Sequence, residues 1–209
     1  MGIRSSRFTE RNCTTAATIL LVGIEGAGKT TMAYIMSPNS DTPWDKLMNV
    51  GKIAPTNGYK LTVADITYKG YTFDVFDVGG KEHTRNAWLQ SWCFNGVLPQ
   101  GVMFVVDSAD VERLPEAREF LQQVLTASRF SRIPVLIIAN KQDLPGALKP
   151  HELAKRLSLS SYGDLPVLGV SGKFCTGLVE VIRKMCNMIK AYDKRIEKCL
   201  LTQLKISVQ

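Results

Sequence analysis

The segment 23–30 reads GIEGAGKT and matches the pattern G-x-x-x-x-G-K-[ST]. It follows an apolar run, residues 18–22, that predicts a buried strand, and it precedes a predicted helix over 28–36. Glycines in such a turn let successive backbone N–H groups surround an anionic phosphate, which the helix N-terminus also attracts. Lys29 would reach the outer phosphates, and the Thr30 hydroxyl would bind Mg²⁺. The sequence therefore predicts a nucleotide-binding chain.

Two further motifs follow in order and indicate which nucleotide is bound. Residues 77–80 read DVGG, so Asp77 ends a predicted strand where its carboxylate can hold Mg²⁺ through water, and the Gly80 N–H can meet a γ-phosphate. Residues 140–143 read NKQD. The Asp143 carboxylate can accept from both the ring N–H and the exocyclic N–H of guanine, a pair of donors that adenine cannot offer. Alone, N-K-x-D could be a helix cap and a surface turn; after the other two motifs it predicts guanine.

Short apolar runs alternate with helix-period stretches along the chain. This alternation predicts an α/β fold with a mainly parallel sheet covered on both faces. A polar segment, 37–55, contains three prolines and predicts a long loop. The other predicted strands are a hairpin of 59–68 and 71–77, then 102–107, 135–140 and 167–170, and the other predicted helices cover about 114–125, 150–157 and 178–206.

The chain resembles the ADP-ribosylation factor (Arf) and Arf-like small GTPases over about residues 15–193. The resemblance rests on GxxxxGKTT at 23–31, PTNGY at 55–59, DVGG at 77–80, FVVDSAD at 104–110 and NKQDLP at 140–145. It implies a Ras-like P-loop G domain, whose six-stranded sheet has one antiparallel edge strand, and which binds GTP or GDP with Mg²⁺. It also implies that the hairpin 59–77 is an interswitch element that slides between nucleotide states.

The same resemblance implies the residues of the site. Mg²⁺ would be held by Thr30, by Thr56 in the GTP state only, and by Asp77 through water. Residues 171–173 would lie against the guanine base, although Ala or Thr is more usual near these positions in the family. The implied nucleotide-binding residues are Gly23, Glu25, Gly26, Ala27, Gly28, Lys29, Thr30, Thr31, Thr56, Asp77, Gly80, Asn140, Lys141, Asp143, Ser171, Gly172 and Lys173.

Lys81 is the largest departure from the family pattern. The family's Asp-x-Gly-Gly motif is followed by a glutamine that orients the attacking water next to Gly80. A lysine has three donors and no acceptor, so it cannot accept a hydrogen from that water. We therefore expect slow GTP hydrolysis and a poor response to an activating protein. Three alternatives stay open: Glu82 or His83 orients the water, a partner supplies the missing group, or the chain is a GTP-locked pseudo-GTPase that serves as an interaction protein.

The formal charge of +7 is confined to the two ends of the chain. Residues 1–11 have three basic side chains and one acidic side chain, and residues 181–209 have seven basic and two acidic side chains. The intervening residues have 16 basic and 16 acidic side chains. This distribution argues against nucleic-acid binding.

Met1 to Ser6 fits M-G-x-x-x-[ST], which predicts N-myristoylation of Gly2. One myristoyl chain binds membranes only marginally, so basic ends would add attraction to anionic lipid. For the N-terminal end, the alternative is a disordered basic tail. For the C-terminal end, the alternative is a longer last helix with a solvated face.

These features predict a basic segment over 1–15, a small GTPase domain over 16–193 and a basic helical extension over 194–209. We expect a cytoplasmic monomer that associates reversibly with membranes, because no apolar run reaches the length of a membrane span. By resemblance, its partners would be an exchange factor, an activating protein and effectors. The predicted effector surface consists of Tyr59, Phe76, Trp88 and Trp92.

Overall fold

One six-stranded sheet organises the chain, with the strand order β2-β3-β1-β4-β5-β6. A computed structural model describes residues 15–36, 59–68, 71–91, 99–128, 130 and 132–206. β3, β1, β4, β5 and β6 run parallel, which confirms the predicted parallel sheet, and β2 pairs antiparallel with β3. The strands are β1 (Thr15–Val22), β2 (Tyr59–Tyr68), β3 (Tyr71–Val78), β4 (Gly101–Asp107), β5 (Val135–Asn140) and β6 (Val167–Gly169).

Helices connect the parallel strands and cover the sheet. They are α1 (Lys29–Met36), α2 (Glu82–Ser91), α3 (Leu114–Thr126), α4 (Pro150–Arg156) and α5 (Leu178–Ile206), with a 3₁₀ turn at Leu159–Tyr162. Helix α2 was not among the predicted helices, because its sequence EHTRNAWLQS has little apolar periodicity. Tertiary contacts define this helix instead: Thr84, Arg85 and Trp88 are all buried.

The pleat of the central strand β1 divides the interior into two cores. Ile19 and Leu21 point to one face of the sheet, where α1 and the first part of α5 pack. Leu20 and Val22 point to the other face, against α3 and α4. All four side chains are at most 1% exposed, because successive residues of a strand face opposite sides and both sides are covered. This explains why the strands read as continuous apolar runs rather than as alternating ones.

The apolar side chains of α5 are buried over only part of its length. Val181, Met185 and Ile189 are fully buried, whereas Leu200 and Leu201 are 54% and 59% exposed. The helix has 29 residues and is therefore about 43 Å long. Because these side chains near its end are exposed, the periodicity that predicted the helix does not predict burial there.

The start of one predicted strand needs adjustment. β1 begins at Thr15 rather than at residue 18, because hydrogen bonding to β3 extends the ladder through Thr15 and Tyr71. The long loop predicted over 37–55 lies outside the described residues. Among the helices that the structure describes, none is long and apolar enough to cross a membrane.

Candidate nucleotide-binding site

The candidate site lies at the carboxyl ends of the parallel strands, where α/β sheets commonly bind ligands. Segment 23–30, the phosphate loop, leaves the end of β1 and enters α1. Asp77 lies near the end of β3, Asp107 ends β4 and Asn140 ends β5. Because these strands are adjacent and parallel, residues far apart in sequence meet at one edge of the sheet.

Lys29 is held inside the phosphate loop. Its side-chain Nζ donates to the carbonyl oxygens of Gly23 and Ile24, both at 2.9 Å, and the residue is 6% exposed. Burial lowers the pKa of Lys29 to about 8, and the nearby Asp77 carboxylate opposes this shift. The Lys29 ammonium is poorly solvated here, so anionic oxygens would stabilise its charge. The loop therefore fits a phosphate group.

Two glycines allow close backbone approach around this lysine. A Cβ on Gly28, whose φ is +92°, would collide with Asn140 Nδ2. A Cβ on Gly80 would lie 2.6 Å from Lys29 Nζ and would also collide with the backbone N of Glu25. The glycines at both positions therefore bring the DVGG segment and Asn140 directly against the phosphate loop.

Thr30 and Asp77, the two predicted Mg²⁺ residues that the structure describes, lie in contact. The Thr30 hydroxyl donates to Asp77 Oδ2 at 2.6 Å, and Asp77 is fully buried. A hydroxyl and a carboxylate are hard oxygen donors of the kind that Mg²⁺ prefers, and Mg²⁺ completes its shell with waters and substrate phosphates. This pair therefore fits the ion, although the described residues contain no group of three or more acidic, histidine or cysteine side chains that could hold a metal ion by themselves.

Asn140 connects three segments of the site. Its Nδ2 donates to the Ala27 carbonyl at 2.7 Å, and its Oδ1 accepts from the Gly172 N–H at 3.1 Å. The phosphate loop, the NKQD motif and the loop after β6 are therefore held together through one buried side chain.

The remaining NKQD residues are also held in place by side-chain contacts. Asp143 Oδ1 accepts a 2.5 Å hydrogen bond from the Ser171 hydroxyl, which orients the carboxylate. Lys141 has a φ of +64° and its Nζ lies 2.6 Å from Asp107 Oδ2. Lys173 is exposed, and its Nζ lies 5.3 Å from the ring centre of Phe174.

The other predicted nucleotide-binding residues lie in or next to the phosphate loop, except Thr56. Ala27 and Thr31 are buried, Glu25 is half-buried and Gly26 is exposed. Thr56 lies outside the described residues.

The structure also adds residues that the sequence analysis did not assign to the site. The Arg113 guanidinium, in the turn before α3, donates from Nη1 to the Glu25 carbonyl at 3.0 Å. Asp107 pairs with Lys141 across two loops. Asp107 could have been found because it ends a buried strand within the FVVDSAD motif, whereas no sequence pattern marked Arg113.

Comparison with known proteins identifies the family. A sequence profile of the ADP-ribosylation factor family matches residues 6–189. This chain belongs to the Arf family. Members of this family bind guanine nucleotide and interact with effectors and exchange factors. A similar solved structure is that of the Arl6 (BBS3) small GTPase from Trypanosoma brucei with the bound nucleotide analogue GppNp, at 27% sequence identity and a TM-score of 0.70. The match covers 85% of this Arf-family chain and 99% of the Arl6 chain.

Lys81 occupies the turn between Gly80 and helix α2 of this Arf-family protein. It is half-buried, and its carbonyl accepts from the Arg85 N–H at 2.9 Å. Glu82 and His83, the other candidates for orienting water, are exposed at the start of α2.

The predicted effector surface needs one correction. Trp88 is 5% exposed, and its ring packs edge-on against Phe120 at 5.9 Å and tilted against Phe130 at 5.8 Å. A tryptophan on the inner side of α2 belongs to the core because its large apolar ring is covered by α3. Phe76 is half-buried, whereas Trp92 and the side chain of Tyr59 lie outside the described residues.

Proposed function

We propose that this Arf-family protein is a membrane-associated guanine-nucleotide switch in which Lys81 makes GTP hydrolysis slow. The observation that carries the proposal is the position of Lys81. It directly follows Gly80, whose backbone lies against Lys29 and the phosphate loop. The chemistry of this one side chain therefore bears on the γ-phosphate.

The nucleotide would be held by the described contacts of the site. Lys29 would neutralise the outer phosphates, and Asp143 would accept from guanine. Thr30 and Asp77 would hold Mg²⁺, which when bound neutralises charge on the phosphate oxygens. The 2.6 Å contact between their side chains supports this assignment.

Slow hydrolysis follows from the donors and acceptors at position 81. A glutamine can accept from the attacking water and donate to the phosphate at the same time, which orients the water. The Lys81 ammonium can only donate. It can neutralise developing charge, but it leaves the water without an acceptor at this position.

Membrane association would come from the two ends of the chain. A myristoyl group on Gly2 would supply a marginal anchor, and basic side chains would supply attraction to anionic lipid. The exposed residues Lys194, Arg195 and Lys198 on α5, beside the exposed Leu200, support this assignment. In this proposal the GTPase domain covers 16–193, and 194–209 is a basic extension.

Single-turnover GTP hydrolysis tests the enzymatic part. We expect Lys81→Gln to raise the rate about tenfold or more, because the glutamine restores the acceptor. Lys155→Gln removes an exposed lysine on α4 and should leave the rate unchanged. Fast turnover by the unmodified protein, or no gain in Lys81→Gln, would contradict the proposal.

The second candidate function is a GTP-locked pseudo-GTPase that acts as an interaction protein. The replacement of the glutamine by Lys81 also favours this function. Nucleotide extracted from the purified protein separates the two functions. Bound GDP indicates a cycling enzyme, whereas bound GTP without turnover indicates the lock.

Flotation with vesicles of phosphatidylcholine and phosphatidylserine tests the membrane part. We expect less flotation of Gly2→Ala and of a chain cut after Asp193, each compared with the full chain after co-expression with an N-myristoyltransferase. Equal flotation of all three proteins would exclude a role for both ends.

A further inference from the structure

Arg113 contacts two loops: Asp110 in the loop before α3, and the Glu25 carbonyl in the phosphate loop. Its Nε lies 2.6 Å from Asp110 Oδ2, and its Nη2 lies 2.5 Å from the same oxygen. Asp110 Oδ1 also accepts from the Arg113 backbone N–H at 3.2 Å. Nη1 remains directed at the phosphate loop, where it donates to the Glu25 carbonyl at 3.0 Å. Asp110 therefore fixes the guanidinium plane while one N–H reaches the loop.

The contacted carbonyl belongs to the peptide unit between Glu25 and Gly26. A trans peptide is planar, so its C=O and N–H point in opposite directions. When the Glu25 carbonyl points to Arg113, the Gly26 N–H points to the other side of the loop. Gly26 has a φ of +81°, and this loop supplies the N–H groups that would surround phosphate.

Gly26 itself does little to fix the orientation of this peptide unit. Glycine at position 26 populates both signs of φ, so rotation of the plane meets little steric resistance from that residue. Rotation would turn the Glu25 carbonyl oxygen, instead of the Gly26 N–H, toward an anionic phosphate. An outside donor that holds the carbonyl therefore decides which group the ligand meets.

We propose that Arg113 is a positioning residue for nucleotide binding: by holding the Glu25 carbonyl, it aims the Gly26 N–H into the phosphate cradle. This inference rests on the proposed guanine-nucleotide binding. Hydrogen bonding to Asp110 raises the pKa of Arg113, and the same hydrogen bond lowers the pKa of Asp110, so the pair stays charged. A charged donor forms a stronger hydrogen bond to a carbonyl than a neutral one does.

The experiment compares Arg113→Ala and Arg113→Lys with the unmodified protein. Dissociation of fluorescent GDP and of a fluorescent non-hydrolysable GTP analogue is measured by stopped flow with Mg²⁺ present. We expect Arg113→Ala to release both about tenfold faster, since a charge-assisted hydrogen bond is lost. Arg113→Lys keeps one charged donor and should recover part of the loss.

Arg183→Ala is the matched control. Arg183 also pairs with an acidic residue three positions earlier, Glu180, at 2.5 Å, but it lies on the exposed surface of α5. This variant should leave both dissociation rates unchanged. A similar acceleration in Arg183→Ala would show that loss of any such ion pair loosens the fold.

The Gly26 amide resonance separates positioning from general stability. In protein loaded with GDP, we expect the Gly26 ¹H shift to move upfield in Arg113→Ala, because its N–H no longer meets a phosphate. Asp110→Asn should shift it in the same direction. Unchanged dissociation rates and an unchanged Gly26 shift in folded Arg113→Ala would overturn the inference. If the unmodified protein binds no guanine nucleotide, the proposed function fails instead.

Discussion

The Tyr71 hydroxyl donates a 2.9 Å hydrogen bond to the Asp193 carboxylate, and so joins the start of β3 to the last helix across 122 positions of sequence. The Lys190 ammonium lies 5.3 Å from the centre of the same ring, and the Cys186 thiol donates to the Tyr68 carbonyl at 3.8 Å. The β2–β3 hairpin is therefore held to α5 at its closed end.

This relationship predicts a loss of stability at alkaline pH. Burial and the bond to Asp193 raise the pKa of Tyr71 to about 12, from the ordinary value of 10.0. The fold favours the neutral phenol, so its contribution is complete below pH 10 and is lost as the pH rises toward 12. We expect the urea midpoint of Tyr71→Phe to be lower than that of the unmodified protein at pH 8, and the difference to shrink by pH 11. An identical difference at both pH values would show that the phenol does not titrate in this way.

Arg85 should contribute to the attachment of α2 to α3. Its side chain is 8% exposed, and its guanidinium lies 2.6 Å from the Glu116 carboxylate and 5.0 Å from the Phe120 ring centre. Arg85→Met should reduce the free energy of unfolding by about 2 kcal/mol, because it breaks a partly desolvated pair. Chemical unfolding at saturating GDP measures this. Arg118→Met, which removes an exposed arginine from α3, should change little, and an equal loss in both variants would argue against a specific role of the pair.

Gly28→Ala should abolish nucleotide binding through a collision rather than through backbone strain. The added methyl would meet Asn140 Nδ2 and displace the side chain that joins Ala27 to Gly172. Gly163 provides a matched control: its φ is +90°, close to the +92° of Gly28, but a Cβ there meets nothing within 4 Å. We expect Gly163→Ala to bind GDP normally in isothermal titration. Equal losses of GDP binding in the two variants would show that the positive φ, and not the collision with Asn140, makes a glycine necessary at position 28.

Asp143→Asn should change which base is bound. The carboxylate accepts from Ser171 and can accept from the guanine N–H groups, whereas an amide presents donors as well. We expect GDP affinity to fall at least about a hundredfold, since two charge-assisted hydrogen bonds are lost, and affinity for xanthosine diphosphate to rise. Asp164→Asn, an exposed change before β6, is the control. Retained preference for GDP in Asp143→Asn would show that this residue does not read the base.

Much of the fold could be predicted because apolar runs and glycine turns are local signals. Runs such as 102–107 and 135–140 mark strands that are buried on both faces, and segment 23–30 marks the phosphate loop. Helix α2 could not be predicted this way, because Arg85 and Trp88 are buried by contacts with α3 rather than by a periodic apolar face. Trp88 was predicted to lie on the effector surface for the same reason: no local sequence pattern shows that α3 covers its ring.

The sequence by itself determined the family, the order of the nucleotide motifs and the unusual lysine at position 81, since each depends only on residue types at fixed spacing. Only the tertiary structure decided which side chains hold those motifs in place. Asn140 joins Ala27 to Gly172, and Arg113 reaches Glu25, across 113 and 88 positions of sequence. Such contacts arise where parallel strands end at one edge of a sheet, and short-range sequence patterns do not record which distant loops meet there.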